Sequence, residues 1–326
     1  MQEFQLPNYA GKYKFIKPIG HGAFAVVALA QDTKTGNFVA IKLFNRKKVM
    51  EQDMMQYLES EIRIISRIHH PAFPEIYEIL YEPEWIMVVM EYLCNGNIIE
   101  LIQEGAFFNY DEKIVIVKRI AEGLEYLHKR GIAHRDIKPE NIVFDCDFNP
   151  KIIDFGLCKE NPNNLETYCG TMNYIAPEVI RACNYDGKKA DIWSFAITAH
   201  VVMTSQMPVN YASEAKFVND VKKGKMTLKN YCIGEMRALI DDCLMQDPAK
   251  RPSASQIVLK LSQMLNINKE DATASEKVVL PKLLSHNKFI VRCKTEKFGL
   301  MFNKNINIPH VMKLTPNVNY RRVASF

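Results

Sequence analysis

The spacing of apolar residues changes once along this chain of 326 residues, and that change limits the folds open to it. Residues 13–45 alternate apolar and polar side chains in short runs separated by glycine-containing turns, a pattern typical of paired β-strands. After the Asn95-Gly96-Asn97 turn, apolar residues recur at helical spacing, notably over 111–130 and 191–204. The sequence therefore predicts an α+β fold in which a small β-rich lobe precedes a larger helical lobe.

The segment between these two regions continues the first lobe. Apolar residues at helical spacing predict a helix over 51–68, which the His70-Pro71 pair ends. Two apolar runs, 76–81 and 86–92, predict two more strands. The first lobe is thus expected to be a set of strands interrupted by one helix.

We predict one domain over residues 13–265, divided into lobes at 13–92 and 93–265, and a basic, partly disordered C-terminal tail over 266–326. The net charge of +5 belongs to that tail, because residues 286–326 hold eight Lys or Arg and one Glu. The rest of the chain is slightly acidic. We therefore expect no nucleic-acid-binding face on the body of the protein.

Several classes of protein are disfavoured by the composition. The first residues, MQEFQLPNYAGKYK, lack the apolar segment of a secretory signal, and no run approaches the roughly 18 apolar residues of a membrane span. The eight cysteines are scattered, with no C-x-x-C pair and no metal-ligand spacing, which favours reduced thiols inside the cell. We expect a cytoplasmic protein without a membrane span, and a nuclear location is the alternative.

The stretch AHRDIKPENIVF, which begins at Ala133, places five polar groups of different chemistry within an apolar setting. They are His134, Arg135, Asp136, Lys138 and Asn141. Buried ions without partners are costly, so such crowding is hard to explain by folding alone. A site that holds phosphate and a metal ion would supply a partner for each group.

A second motif, Gly20-His21-Gly22-Ala23-Phe24-Ala25, lies between two predicted strands. Glycines allow backbone N–H groups to approach phosphate oxygens where a Cβ would intrude. A simple glycine turn in a hairpin is the alternative. The flanking strands argue against a dinucleotide-binding fold, which requires a helix after the glycines.

Two further motifs carry single charges. In Val39-Ala40-Ile41-Lys42, strand alternation turns Lys42 towards a cleft between the lobes, where Glu61 can pair with it. An exposed strand lysine and a solvated helix carboxylate are the alternatives. Asp154 follows an apolar strand and precedes Phe155-Gly156, which suits a divalent cation, although a plain Asx turn would have the same sequence.

Taken together and in order, these motifs resemble the signature of the eukaryotic protein kinase family, serine/threonine type. The set comprises Gly20, Lys42, Glu61, Asp136, Asn141, Asp154 and the Ala176-Pro177-Glu178 triplet. The resemblance covers about residues 13–265 and implies the bilobal kinase fold, ATP and Mg²⁺ as cofactors, and protein substrates. The stretches IRIISRIHHP and ENIVFD are most similar to calmodulin-dependent and AMP-activated-like kinases.

The resemblance also implies a role for each catalytic residue. Asp136 would orient the attacking hydroxyl, and Lys138 would neutralise charge on the transferring phosphoryl group. Asn141 and Asp154 would hold Mg²⁺. In kinases of this type a threonine such as Thr171 bonds the catalytic Asp and Lys. Lys42 and Glu61 complete the predicted catalytic set.

The predicted nucleotide site also follows from the family pattern. Val27, Ala40 and Val143 would enclose adenine, Met90 would be the gatekeeper, and the backbone at Glu91 and Leu93 would bond the adenine edge. The complete set of residues predicted to bind ATP is Gly20, Gly22, Ala23, Phe24, Val27, Ala40, Lys42, Met90, Glu91, Leu93, Asn141, Val143 and Asp154.

Regulation and scaffold residues are implied in the same way. Thr167 is the predicted activating phosphosite, modified by an upstream kinase and met by Arg135. Tyr168 is a weaker candidate, and an unmodified loop hydroxyl is the alternative. Asp191 and His134 would be structural, and Arg251 would pair with Glu178.

The sequence thus predicts a non-specific serine/threonine protein kinase that transfers the ATP γ-phosphate to protein hydroxyls. A pseudokinase scaffold is the first alternative, although Lys42, Asp136 and Asp154 are all present. A small-molecule phosphotransferase is the second, and it would lack the Ala176-Pro177-Glu178 segment. The substrate, the upstream activator, the oligomeric state and the role of the tail, which ends Arg321-Arg322-Val323-Ala324-Ser325-Phe326, stay open.

Overall fold

The computed structural model describes residues 6–22, 25–181, 184–209 and 211–270, with side chains to residue 266. The predicted tail therefore lies almost wholly outside the described residues, as do Ala23 and Phe24.

The first lobe is built on a sheet of six antiparallel strands in the order β1-β2-β3-β4-β6-β5. The strands are β1 (Tyr9–Ala10), β2 (Tyr13–His21), β3 (Ala25–Asp32), β4 (Phe38–Asn45), β5 (Ile76–Tyr81) and β6 (Trp85–Glu91). Apolar side chains fill its interior; Ile41 and Val88, on neighbouring strands, have no exposed surface. The predicted strands are therefore confirmed, with β6 shifted by one residue from 86–92.

The helix predicted over 51–68 is present but shorter at both ends, and a separate short helix that was not predicted comes before it. The two helices are α1 (Arg46–Glu51) and α2 (Met55–Ile65). The Asn45 side chain caps α1 by accepting the N–H of Lys48 at 2.9 Å. Asp53 takes a left-handed φ of 55°, which interrupts the helical path between α1 and α2.

The second lobe is mainly helical and carries two short antiparallel strand pairs, β7 with β10 and β8 with β9. Its elements are α3 (Ile98–Gln103), α4 (Tyr110–Lys129), β7 (Ile132–Ala133), β8 (Ile142–Phe144), β9 (Pro150–Ile152), β10 (Lys159–Glu160), α5 (Pro177–Arg181), α6 (Gly187–Thr204), α7 (Glu214–Lys222), α8 (Gly234–Cys243) and α9 (Ala254–Glu270). The predicted helices 111–130 and 191–204 correspond to α4 and α6, each of which begins earlier than predicted.

The helix ends are set by local chemistry. At the start of α4, Asn109 and Glu112 form a reciprocal capping box, each side chain accepting the other's backbone N–H. Helix α6 is apolar on nearly every side because it is buried on nearly every side. Among the described residues, no helix combines the length and hydropathy needed to cross a bilayer.

A buried ion pair joins the start of α5 to the loop before α9. The Arg251 guanidinium, whose side chain has 0% exposure, donates two bonds to Glu178, at 2.6 and 2.8 Å. Its remaining N–H groups donate to the carbonyl oxygens of Met245 and Lys189, both at 2.8 Å. The predicted pairing of Arg251 with Glu178 is therefore confirmed. The planar guanidinium places its two terminal nitrogens so that each donates to one oxygen of the carboxylate.

Removal of this arginine should destabilise the second lobe strongly. We expect Arg251→Ala to lower the free energy of unfolding by about 3–5 kcal/mol, because it leaves the Glu178 carboxylate without its buried partner. Urea unfolding measures the change. The control is Lys260→Ala, which removes the exposed pair with Asp242 and should cost less than about 1 kcal/mol. Equal losses in the two variants would contradict this interpretation.

Candidate active site

A charge cluster links the two lobes through three side chains. Lys42, on β4, donates to the Glu61 carboxylate of α2 at 2.6 Å and lies 3.5 Å from the Asp154 carboxylate of the second lobe. Glu61 is 3% exposed and Lys42 is 13% exposed, so neither the exposed strand lysine nor the solvated helix carboxylate is correct. Burial by itself lowers the pKa of Lys42, but the two carboxylates outweigh it and hold that pKa above its ordinary value.

A second cluster surrounds the Asp136 carboxylate, which is almost fully buried. It accepts from Lys138 Nζ at 2.7 Å, from Asn141 Nδ2 at 3.0 Å and from Thr171 Oγ1 at 3.0 Å. Lys138 Nζ also donates to Thr171 Oγ1 at 2.9 Å. The structure thus brings four predicted residues to one point, and three donors hold one carboxylate in a defined orientation.

The loop that carries Asp136 is held from below by Asp191, in α6. The Asp191 carboxylate has no exposed surface and accepts the backbone N–H groups of His134 and Arg135 at 2.8 and 2.7 Å. It also bonds His128 Nε2 at 2.9 Å. These bonds hold Arg135 at a φ of 70°, a conformation that few residues adopt without support.

Asp154 lies two residues after the end of β9. Its φ of 66° is left-handed, and its Oδ1 accepts the Gly156 N–H at 3.3 Å, so the Asx turn considered from the sequence is present. The neighbouring Ile153 N–H donates to the Asn141 carbonyl at 2.9 Å, which ties this segment to the Asp136 loop. The two sequence motifs therefore form one structural unit.

The donor set of this unit fits a magnesium ion. The Asn141 amide nitrogen is committed to the backbone and side chain of Asp136, at 2.9 and 3.0 Å, which leaves its oxygen as the atom suited to bind a cation. The Asp154 carboxylate would supply the second, charged oxygen ligand. Mg²⁺ prefers oxygen ligands of this kind and usually takes one or two from protein together with phosphate oxygens.

Two of the residues predicted to enclose adenine, Val27 and Ala40, share one face of the first-lobe sheet with Lys42 and Met90. Val27 lies opposite Lys42, and Ala40 lies opposite Met90, in the registers of β3, β4 and β6. Because Ala40 and Lys42 are two residues apart on β4, all four side chains occupy the same side. Val143 lies in β8, Leu93 follows β6, and both are partly buried.

Of the glycine motif, Gly20 and His21 end β2 and Ala25 begins β3, and the Gly22 N–H donates to the Ala25 carbonyl at 2.8 Å. Gly20 has no positive φ, and a Cβ added there would meet Val27 only at an ordinary 3.6 Å. The fold itself does not require glycine at position 20. The close approach of phosphate to the backbone at Gly20 stays a prediction from the sequence.

Comparison with known proteins bears directly on this arrangement. Residues 13–261 match the family described as protein kinase domain. The chain belongs to the protein kinase family. Both the predicted family and the bilobal fold are therefore confirmed.

The relatives of this kinase chain are named as protein kinases, and two of the following three are named as serine/threonine kinases. It is 38% identical over 272 residues to the serine/threonine-protein kinase cds1 of Schizosaccharomyces pombe, covering 78% of this chain and 59% of that protein. It is 37% identical over 254 residues to the SNF1-related protein kinase catalytic subunit alpha KIN12 of Arabidopsis thaliana, covering 77% of this chain and 50% of the relative.

A third relative is the CBL-interacting serine/threonine-protein kinase 8 of Arabidopsis thaliana, at 32% identity over 250 residues, 76% of this chain and 56% of that protein. These names agree with the predicted serine/threonine type and subgroup. The chain spans about half to three-fifths of the length of these three curated relatives.

One contributor to the kinase site was not predicted from the sequence. The Tyr185 hydroxyl donates to the Thr167 carbonyl at 2.9 Å, beside the bond from Arg135 Nη2 to the same oxygen at 3.1 Å. Tyr185 reaches it because its backbone pairs with Leu165 in an isolated bridge. No motif marks this tyrosine, since only the folded path of the loop brings it near.

The buried His134 generates a prediction about acid stability. Burial lowers the pKa of His134 below its ordinary 6.5, and the Nδ1 atom accepts the Asp136 N–H at 3.3 Å. The unfolded chain takes up a proton near pH 6.5 and the folded chain does not. Stability should therefore fall as the pH drops below 6.5, with a contribution from this residue of up to about 1.4 kcal/mol per pH unit.

Urea unfolding between pH about 7.5 and about 5.5 measures that slope. We expect His134→Asn to make the slope shallower, because asparagine can accept the same N–H and does not titrate. The control is His69→Asn, which makes the same replacement at an exposed position. An unchanged slope in His134→Asn would mean that this histidine does not stay neutral in the fold.

Proposed function

We propose that this protein is an active serine/threonine kinase, which transfers the γ-phosphate of ATP to serine or threonine hydroxyls of protein substrates. The observation that carries this proposal is the convergence of Lys138, Asn141 and Thr171 on the Asp136 carboxylate. Such an arrangement positions an acceptor for a hydroxyl proton beside a cation suited to phosphate. In phosphoryl transfer, positioning and electrostatics supply most of the rate enhancement.

Each catalytic side chain has a distinct part in the proposed reaction. Asp136 accepts a hydrogen bond from the substrate hydroxyl and orients its oxygen towards the γ-phosphorus. Lys138 Nζ, 2.7 Å from that carboxylate, is placed to neutralise negative charge on the transferring group. Thr171 Oγ1 bridges the two and fixes their separation.

The proposed nucleotide site combines the two lobes. Lys42 contacts the ATP phosphates and is held in place by Glu61. Asn141 and Asp154 hold Mg²⁺, which neutralises phosphate charge when bound. The remaining proposed contacts with ATP are the backbone of the Gly20–Phe24 turn, the apolar side chains of Val27, Ala40, Met90 and Val143, and the linker backbone at Glu91 and Leu93.

Activity is proposed to depend on phosphorylation of Thr167 by an upstream kinase. Arg135 lies beside this residue, donating to its carbonyl, while its buried Nε has no hydrogen-bond partner among the described residues. Interactions with nearby groups raise the pKa of Arg135 despite its burial, so the cation is permanent. A phosphate on Thr167 would supply the acceptor oxygens that this guanidinium lacks. The cytoplasmic location stays a prediction from the sequence.

Removal of either proposed catalytic charge tests the activity directly. We expect Asp136→Asn to lower the rate of peptide phosphorylation by about 10²–10⁴-fold, because an amide cannot accept the hydroxyl proton. Lys42→Met should have a comparable effect through lost phosphate contacts. Transfer of labelled γ-phosphate from ATP to a serine/threonine peptide library measures both rates.

Matched controls keep this test specific. Asp147→Asn and Lys14→Met alter exposed residues of the same types and should retain the parental rate. A parental chain that binds ATP without turnover would support a pseudokinase scaffold instead. Transfer to sugars or aminoglycosides in place of peptides would support a small-molecule phosphotransferase.

Phosphorylation of Thr167 should raise activity severalfold in a manner that depends on Arg135. After treatment with an activating kinase, peptide phosphorylation should rise in the parental chain and in Tyr168→Phe, which tests the alternative phosphosite. It should not rise in Thr167→Ala or in Arg135→Ala. Activation that persists in Thr167→Ala would place the regulatory phosphate elsewhere.

A further inference from the structure

The linker between the lobes is fastened to the second lobe by backbone hydrogen bonds. The Asn95 N–H donates to the Phe144 carbonyl at 3.1 Å, and the Phe144 N–H donates to the Gly96 carbonyl at 2.9 Å. Asn97 and Val143 form an antiparallel bridge. Residues 95–97 thus run antiparallel to the end of β8.

This antiparallel pairing brings two cysteines close together. Cys94 lies three residues before Asn97, and Cys146 lies three residues after Val143. A disulfide requires two chain segments that lie close enough for the sulfurs to approach to about 2.05 Å. The Cys94 thiol contacts the Cys146 sulfur, with the two Sγ atoms 2.6 Å apart.

The position of Cys146 is held by its own turn as well as by the pairing. Asp145 Oδ1 accepts the N–H groups of Asp147 and Asn149 at 2.9 and 2.8 Å, which closes the turn around Cys146. The Asn95 side chain also donates to the Asp145 carbonyl at 2.6 Å. These bonds, together with the backbone bonds of the linker, hold both cysteines in place independently of their sulfur atoms.

Accessibility separates this pair from the other described cysteines. Cys146 is exposed and Cys94 is partly buried, so a small oxidant can reach the pair from solvent. The remaining cysteines in the described part of the chain are buried, namely Cys158, Cys169, Cys232 and Cys243. The pair therefore has both the geometry and the access needed for reversible oxidation.

We propose that Cys94 and Cys146 form a reversible disulfide that locks the interlobe linker to the turn between β8 and β9. The oxidant is a small-molecule disulfide such as oxidised glutathione. The Cys146 thiolate attacks one of its sulfurs and releases one glutathione thiolate. The Cys94 thiolate then attacks the Cys146 sulfur of the mixed disulfide and releases the second. Two thiols lose their protons and are oxidised, and one glutathione disulfide is reduced to two thiols.

The disulfide closes the chain next to the proposed adenine contacts. Cys94 directly follows Leu93, whose backbone is proposed to bond adenine, and Cys146 lies three residues beyond Val143. Rotation of the lobes to exchange nucleotide must bend this linker. The disulfide is therefore expected to slow nucleotide exchange and to reduce turnover. This effect on turnover rests on the proposed kinase activity, whereas formation of the bond does not.

Peptide mapping of the full chain tests the bond itself. After incubation with oxidised glutathione, alkylation with N-ethylmaleimide and trypsin digestion, we expect one cross-linked product joining residues 68–113 to residues 136–151. Each of these peptides contains a single cysteine. The product should disappear after treatment with dithiothreitol. Separate alkylation or glutathionylation of the two cysteines, with no cross-linked product, would overturn the proposal.

Variants identify the partners and show whether the bond is part of the fold. Cys94→Ser and Cys146→Ser should each abolish the product, while Cys293→Ser should retain it. Oxidation should raise the thermal midpoint by a few degrees in the parental chain and in Cys293→Ser only, because the bond closes a long loop. In the parental chain, a cross-link from residues 68–113 to any other cysteine-containing peptide would assign the partner of Cys94 elsewhere.

Turnover provides the second readout. With a peptide substrate and saturating ATP, oxidation should lower the rate severalfold in the parental chain, with recovery in dithiothreitol and no change in Cys146→Ser. A disulfide that forms without altering a measurable rate would exclude the effect on exchange. A chain with no activity in either redox state would contradict the kinase function and leave the mapped disulfide standing.

Discussion

The buried carboxylate of Asp191 is the interaction on which the proposed chemistry depends. It accepts two backbone N–H groups from the loop that carries Asp136, and it is supplied by a helix buried on nearly every side. A charge this deep is tolerated because donors surround it. The bonds also support the left-handed conformation of Arg135. The tight packing of α6 therefore helps to fix the orientation of the proposed catalytic carboxylate of Asp136.

A second constraint joins the lobes. The contacts of Lys42 with Glu61 and Asp154 require the sheet, α2 and the end of β9 to be correctly placed at the same time. On the other side of the same cleft, backbone hydrogen bonds join the linker to Phe144 of β8. The proposed ATP site thus lies between the charge cluster at Lys42 and the backbone hydrogen bonds of the linker. The proposed disulfide of Cys94 and Cys146 would form beside those linker bonds.

Much of this architecture could be predicted because it is encoded locally. Strand alternation over residues 13–45 and helical spacing over 111–130 depend only on neighbours in sequence. The helix predicted over 51–68 begins only at Met55, because Asp53 takes a left-handed conformation just before it. The contact of Tyr185 with Thr167 could not be predicted, because it joins segments that only the folded loop brings together.

By itself, the sequence determined the family, the order of the lobes and the identity of the polar residues that form the site, since motif order and residue type are written along the chain. The tertiary structure alone decided that Glu61 is buried against Lys42, that three donors meet at Asp136, and that Cys94 faces Cys146. The physical reason is that burial, pairing and register arise from packing between segments distant in sequence. Residue type shows what a side chain can bind, and packing decides what it meets.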